Sequence, residues 1–209
     1  MSDPSLFFAF LAAAAILTIT PGVDTAMVLR SATVEGRRSA ILASFGIGLG
    51  CLVWGAAVSL GLGALLHASE LAYTVVKLAG AAYLLWLGVQ LLLKPRTAMG
   101  DASGQPAARN GRDAFWRGLL TNLLNPKIGV FYITFLPLFV PGGVGVAVYS
   151  FFLACLHVLL TFAWFAALIA ATVPLGRFLR RPKAVTIMDR LTGVVFVGFA
   201  LKLAASPAR

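Results

Sequence analysis

Six times this chain runs through twenty or more residues that carry at most three charges, roughly at 5–29, 39–66, 71–93, 115–140, 146–173 and 185–205. At about 1.5 Å per residue, each run can cover the roughly 30 Å hydrocarbon core of a bilayer as a helix. Only helices and closed barrels satisfy their own backbone hydrogen bonds in lipid. Barrel strands would alternate apolar and polar residues over about ten positions, and none of these runs alternates. The expected fold is therefore all-α and integral to the membrane, with six transmembrane helices. Composition agrees: 60% of residues are hydrophobic and 11% charged, too little polar surface for a soluble domain. The last run is the least regular, with Asp189 and Arg190 near its start and Lys202 near its end. Both ends are expected at an interface, where long basic side chains snorkel.

A formal charge of +10 suggests a nucleic-acid partner until the charges are mapped. Arg30, Arg37 and Arg38 fall between the first two runs; Lys94, Arg96, Arg109 and Arg112 between the third and fourth; Arg177, Arg180, Arg181 and Lys183 between the last two. The alternate loops, "HASE" at 67–70 and "PGGVG" at 141–145, contain no Lys or Arg. That asymmetry is an orientation signal and places both termini outside the cytoplasm. Attraction to anionic lipid headgroups accounts for the basicity, and no nucleic-acid partner is expected. The opening "MSDPS" has no basic residue before Arg30, and the first run exceeds the about 7–15 apolar residues of a signal peptide. It reads as a retained helix.

The segment 94–113, rich in Gly, Pro and polar residues, reads as a cytoplasmic linker between a first half at 1–93 and a second at 114–209. Three spans per half put the halves in opposite senses, a 3+3 inverted repeat. The halves also echo one another. "TITPGVDTAMVL" at 18–29 and "TNLLNPKIGVFYI" at 121–133 each place a Thr before a proline and an ionisable residue just after it. Broken helices in corresponding positions of inverted repeats are a pointer to a transporter's binding site. Pro21 has no N–H to give the carbonyl four residues back, and Gly22 removes the remaining stiffness, so the first helix breaks there. The carbonyls of Leu17 and Thr18 must then find partners inside the protein. Asn122, Asn125 and Pro126 make the same demand of the fourth helix.

A charge at mid-membrane costs about 2.5–3.5 kcal/mol or more. Asp24 and Lys127 each follow a break, and two uses are open to them. They could bond each other, or they could divide a zwitterion, with the substrate ammonium on Asp24 and its carboxylate on Lys127 or a free helix N-terminus. Asn122 and Asn125 join them as candidate ligands. His157, in the fifth run, is a candidate proton relay or a hydrogen-bonded packing residue. Cys51 and Cys155 read as buried packing residues away from the breaks. Gly46 and Gly50 stand at the GxxxG spacing, which permits a homodimer without requiring one. No Walker loop, metal-ligand cluster or nucleophile–His–acid set is present, so no enzyme is expected, and transport would run on an ion gradient.

Taken together, "TPGVDTAMVL", the glycine-rich second run, "VKLAGAAYLLWLGVQLLL" and "NLLNPKIGVFYITFLPLF" resemble the LysE/RhtB family of amino-acid exporters along essentially the whole chain. The resemblance implies a bacterial inner-membrane protein that expels amino acids or close derivatives on the proton-motive force, with no soluble cofactor. The family's Pro-Gly-Pro-Asp-like motif falls on Pro21, Gly22, Val23 and Asp24, so Val23 replaces its second proline. Its Asn-Pro-Lys motif falls intact on Asn125, Pro126 and Lys127. With one carboxylate at the breaks, the reading leans to small neutral amino acids, with Asp24 holding either a substrate ammonium or a proton. A metal-ion exporter and a transmembrane thiol-disulfide relay are the alternatives. The first lacks clustered ligands, and the second would need cysteines at the breaks.

Overall fold

A computed structural model of the chain describes residues 4–68, 70–96, 110–141, 143–179 and 181–205. Most of the expected linker lies outside the described residues, as do the side chains of Lys77 and Lys202. Every regular element among the described residues is helical. The elements are α1 (Pro4–Ile19), α2 (Val23–Arg30), α3 (Arg37–Ala68), α4 (Glu70–Leu93), α5 (Gly111–Leu123), α6 (Pro126–Val130), α7 (Val146–Ala170), α8 (Thr172–Leu179) and α9 (Pro182–Ala205). A π-helical turn, Ser31–Glu35, continues α2, while a π-helical turn, Phe131–Phe135, and a 3-10 turn, Leu136–Phe139, continue α6.

Within α3, α7 and α9, Arg37–Gly61, Val146–Ala170 and Pro182–Leu201 are long and apolar enough to cross a membrane. Two further candidates are bent: α1 with the α2 segment, by 53°, and α5 with the α6 segment, by 52°. That makes three clear spans among the described residues, or up to five when each bent pair counts as one. In α4 the described apolar stretch is shorter, Leu78–Leu93. Large side chains such as Leu60, Val148 and Leu159 are well exposed, as suits surfaces facing lipid rather than water.

Lipid tails are as apolar as leucine, so helices here associate through close packing at small residues. A Cβ on Gly46 would stand 2.0 Å from the Phe115 carbonyl oxygen, and one on Gly118 would stand 2.2 Å from that of Ala43. The backbones of α3 and α5 therefore touch at these glycines. Gly50 faces the same helix, its absent Cβ lying 2.6 Å from Asn122 Oδ1. The GxxxG spacing of Gly46 and Gly50 is thus used inside the chain, against α5. Helices α4 and α9 meet in the same way at Gly88 and Gly193, where a Cβ on either would meet the other's carbonyl oxygen at 3.0 or 2.8 Å. Aromatic rings fill the space beyond the breaks. Phe131 stacks on Phe135 with centroids 5.0 Å apart, and Phe135 lies 4.4 Å from Phe199 of α9.

Candidate functional site

The first break is held open from a distance. Pro21 has no N–H for the Leu17 carbonyl, and Lys127 Nζ donates to that oxygen instead, at 2.8 Å. The same ammonium donates to the Thr20 carbonyl at 3.1 Å. The Pro21 carbonyl accepts from Arg96 Nη2 at 2.9 Å. Two cations thus close the end of α1, where the helix dipole is negative. The expected demand at Leu17 is met, and the other two bound carbonyls are those of Thr20 and Pro21.

Gly22, with extended backbone, caps α2 and places Asp24 in its first turn, where the dipole favours an anion. Asp24 is 8% exposed. Its Oδ2 accepts from Asn122 Nδ2 at 2.8 Å, while Oδ1 is buried with no hydrogen-bond partner among the described residues. A buried carboxylate oxygen without a donor is costly; it is a standing acceptor for a proton or an ammonium.

The second break caps itself. Asn125 Oδ1 accepts from the Lys127 backbone N–H at 3.1 Å, and the Asn125 N–H donates to the Asn122 carbonyl at 3.0 Å. Pro126 opens α6, the position where a missing N–H costs least. The two breaks adjoin. Asp24, Asn125 and Lys127 line one cavity of about 30 Å³ together with Cys51, His157 and Thr161, enough to admit water. His157 Nδ1 lies 3.0 Å from the Tyr132 hydroxyl, and the imidazole forms part of the cavity wall.

Gly22, Asp24, Asn125, Lys127 and His157 thus line one cavity and Asn122 bonds Asp24, while Pro21 and Pro126 are not among the lining residues. Among the described residues no ion pair joins Asp24 to Lys127: the ammonium caps the freed carbonyls of the first helix, and the carboxylate takes the Asn122 amide. Cys51 is not remote from the breaks; it lies in the cavity wall and accepts from Asn122 Nδ2 at 3.4 Å. Cys155 is free and partly exposed on α7.

The sequence pattern that defines LysE type translocators matches residues 15–206. The chain belongs to that family. LysE-type relatives include a threonine efflux protein of Salmonella typhi, 31% identical over 96% of this chain and 98% of its own length. A leucine efflux protein of Klebsiella pneumoniae is 30% identical over 95% and 94%, and the threonine efflux protein of Escherichia coli is 30% identical over 91% and 93%. No solved structure matches. Membership makes the chain a multi-pass membrane transporter rather than an enzyme, and among the described residues no three His, Cys, Asp or Glu side chains gather as metal ligands.

Arg96, Asp189 and Thr192, whose roles sequence reasoning missed, lie outside the two stretches at the breaks. Asp189 is buried inside the bundle, 0% exposed, and Oδ2 accepts from both the Arg96 backbone N–H and Nε at 2.9 Å. The Thr20 and Thr192 hydroxyls lie 2.6 Å apart. An acid inside an apolar run demands a partner, and that demand was the available signal. The partner, Arg96, sits just past the end of another run, where it reads as an orientation charge.

Proposed function

We propose that the chain exports small neutral amino acids across the bacterial inner membrane, taking up protons in exchange. The observation that carries this is the convergence of both helix breaks on one buried carboxylate whose Oδ1 has no partner among the described residues. Relatives of nearly equal length, named for threonine and leucine efflux, support the substrate class. Asp24 Oδ1 accepts either a proton or a substrate ammonium. An ionised carboxylate holds an ammonium far better than a neutral acid does, so protonation expels the substrate and its loss readmits one. That exclusion couples outward amino-acid flux to inward proton flux. Lys127 serves the carboxylate end, and His157 with Tyr132 carries protons to the cavity.

In this reading α4 is the sixth span. The chain is then two inverted halves of three, with both termini on the outer face and the basic loops in the cytoplasm. The near-equal bends of 53° and 52° in corresponding helices support the repeat.

The test is uptake of labelled amino acids by inverted membrane vesicles, with and without a collapsed proton gradient. Gradient-dependent accumulation of threonine, homoserine or leucine is expected, and Asp24→Asn should abolish its pH dependence. An Asp24→Asn protein that kept full pH-dependent counterflow would remove the coupling mechanism.

A further inference from the structure

On the other side of Lys127 from the Asp24 cavity lies a second and larger one, of about 220 Å³. It sits between α4, α9 and the two breaks. The two cavities share only Thr20 and Lys127 among their walls, so those residues are the partition between them. The second has about seven times the volume of the first, 220 against 30 Å³, and is the better fit for a whole amino acid.

The larger cavity also has the right chemistry. Its charged groups are Arg96, Lys127 and Asp189, two cations to one anion, an excess that matches a single carboxylate. Among the described residues Arg96 makes its hydrogen bonds through the backbone N–H, Nε and Nη2, which leaves Nη1 to donate. Lys127 Nζ uses two of its three donors. Guanidinium and ammonium donors to a carboxylate are among the strong hydrogen bonds. Thr20, Thr192 and Tyr83 add hydroxyls to the wall, while Leu87, Leu91 and Phe196 form an apolar side that suits an aliphatic side chain.

We propose that this cavity receives the substrate, an α-amino acid whose carboxylate is anchored by Arg96 and whose side chain packs on Leu87, Leu91 and Phe196. Lys127 is the moving partition. When it follows the carboxylate it leaves the Leu17 and Thr20 carbonyls, the two cavities join, and the ammonium reaches Asp24. The inference rests on the amino-acid exporter reading and adds to it the carboxylate anchor and the size filter. Leu87 and Leu91 set how long a side chain is accepted.

The experiment is counterflow by the full chain reconstituted in liposomes, with L-threonine and L-leucine as probes and threoninamide as a competitor without a carboxylate. Arg96→Gln with Asp189→Asn removes both members of the buried pair at once, so no lone charge is left behind. This double variant should raise the KM for threonine at least tenfold with a smaller change in kcat. Threoninamide should compete weakly against wild type and no worse against the variant. Separately, Leu91→Ala should shift the leucine-to-threonine preference at least threefold towards leucine, a change that a purely structural role would not produce. If the double variant does not fold, the Leu91→Ala preference decides alone. Wild-type transport with both KM and preference unmoved in the variants overturns this inference and leaves the exporter reading standing. Wild-type silence towards every amino acid overturns both.

Discussion

The two breaks bend their helices by almost the same angle, 53° and 52°, and are stabilised in opposite ways. At the second, Asn125 and Pro126 do the work locally: one side chain caps α6, and the proline sits where its missing N–H matters least. At the first, Gly22 brings no side-chain cap, and the freed carbonyls are bound by Lys127 and Arg96 from elsewhere in the chain. A break capped by its own residues keeps its shape whatever its neighbours do. A break capped by distant cations changes when those cations move, and Lys127 is also a proposed ligand. The first break is therefore the responsive one, and the second is the fixed support that carries Lys127 to it.

The severest way to disturb this asymmetry is Lys127→Met. It strips two carbonyls of charge-assisted bonds, each contributing about 1.5–3 kcal/mol, so thermal unfolding in detergent should shift down by several degrees and counterflow should be lost. Lys127→Arg should recover part of the stability. Next comes Pro21→Ala, which restores an N–H that competes with Lys127 for the Leu17 carbonyl. Transport should fall about tenfold or more, roughly 1.4 kcal/mol in barrier, with little loss of stability. Pro126→Ala should do much less, because Asn125 still caps α6; equal losses in the two proline variants would erase the distinction drawn here. Asn125→Ala removes the local cap and should cost about 1 kcal/mol in unfolding free energy, with Asn125→Asp restoring most of it. The smallest effect belongs to Val23→Pro. Val23 is the first residue of α2, where proline's fixed φ suits the helix, so a gain of about 0.4–1 kcal/mol with transport intact is expected.

What could be read from the sequence is what depends on near neighbours. Apolar runs gave the helices, and Pro21–Gly22 and Asn125–Pro126 gave both breaks, because a missing N–H acts on a carbonyl four residues away. Asp24 and Lys127 stood out because charge in lipid is costly. The partners were not legible. Arg96, just past the end of α4, and Asp189, within α9, are far apart in the chain, and nothing local to either names the other. A pairing of Lys127 with Asp24 was one of two uses the sequence left open; Lys127 instead binds the carbonyls left by Pro21, because a buried carbonyl oxygen without a donor is costly. Gly46 and Gly50 could be read as a packing face, but whether that face meets α5 or another molecule is decided only by the assembled bundle. Cys51 reaches the cavity through that same α3–α5 contact.

The remote capping of the first break has a consequence for biosynthesis. The chain emerges from its N-terminus, so the carbonyls of Leu17 and Thr20 are made long before Lys127, and the glycine face of α3 long before α5. Until the fourth helix enters the bilayer, the opening helix has no ammonium to hold its kink, and its neighbour has no backbone to lie against. The first half is thus an unfinished object in the membrane, and its final shape is set by residues that the ribosome adds later.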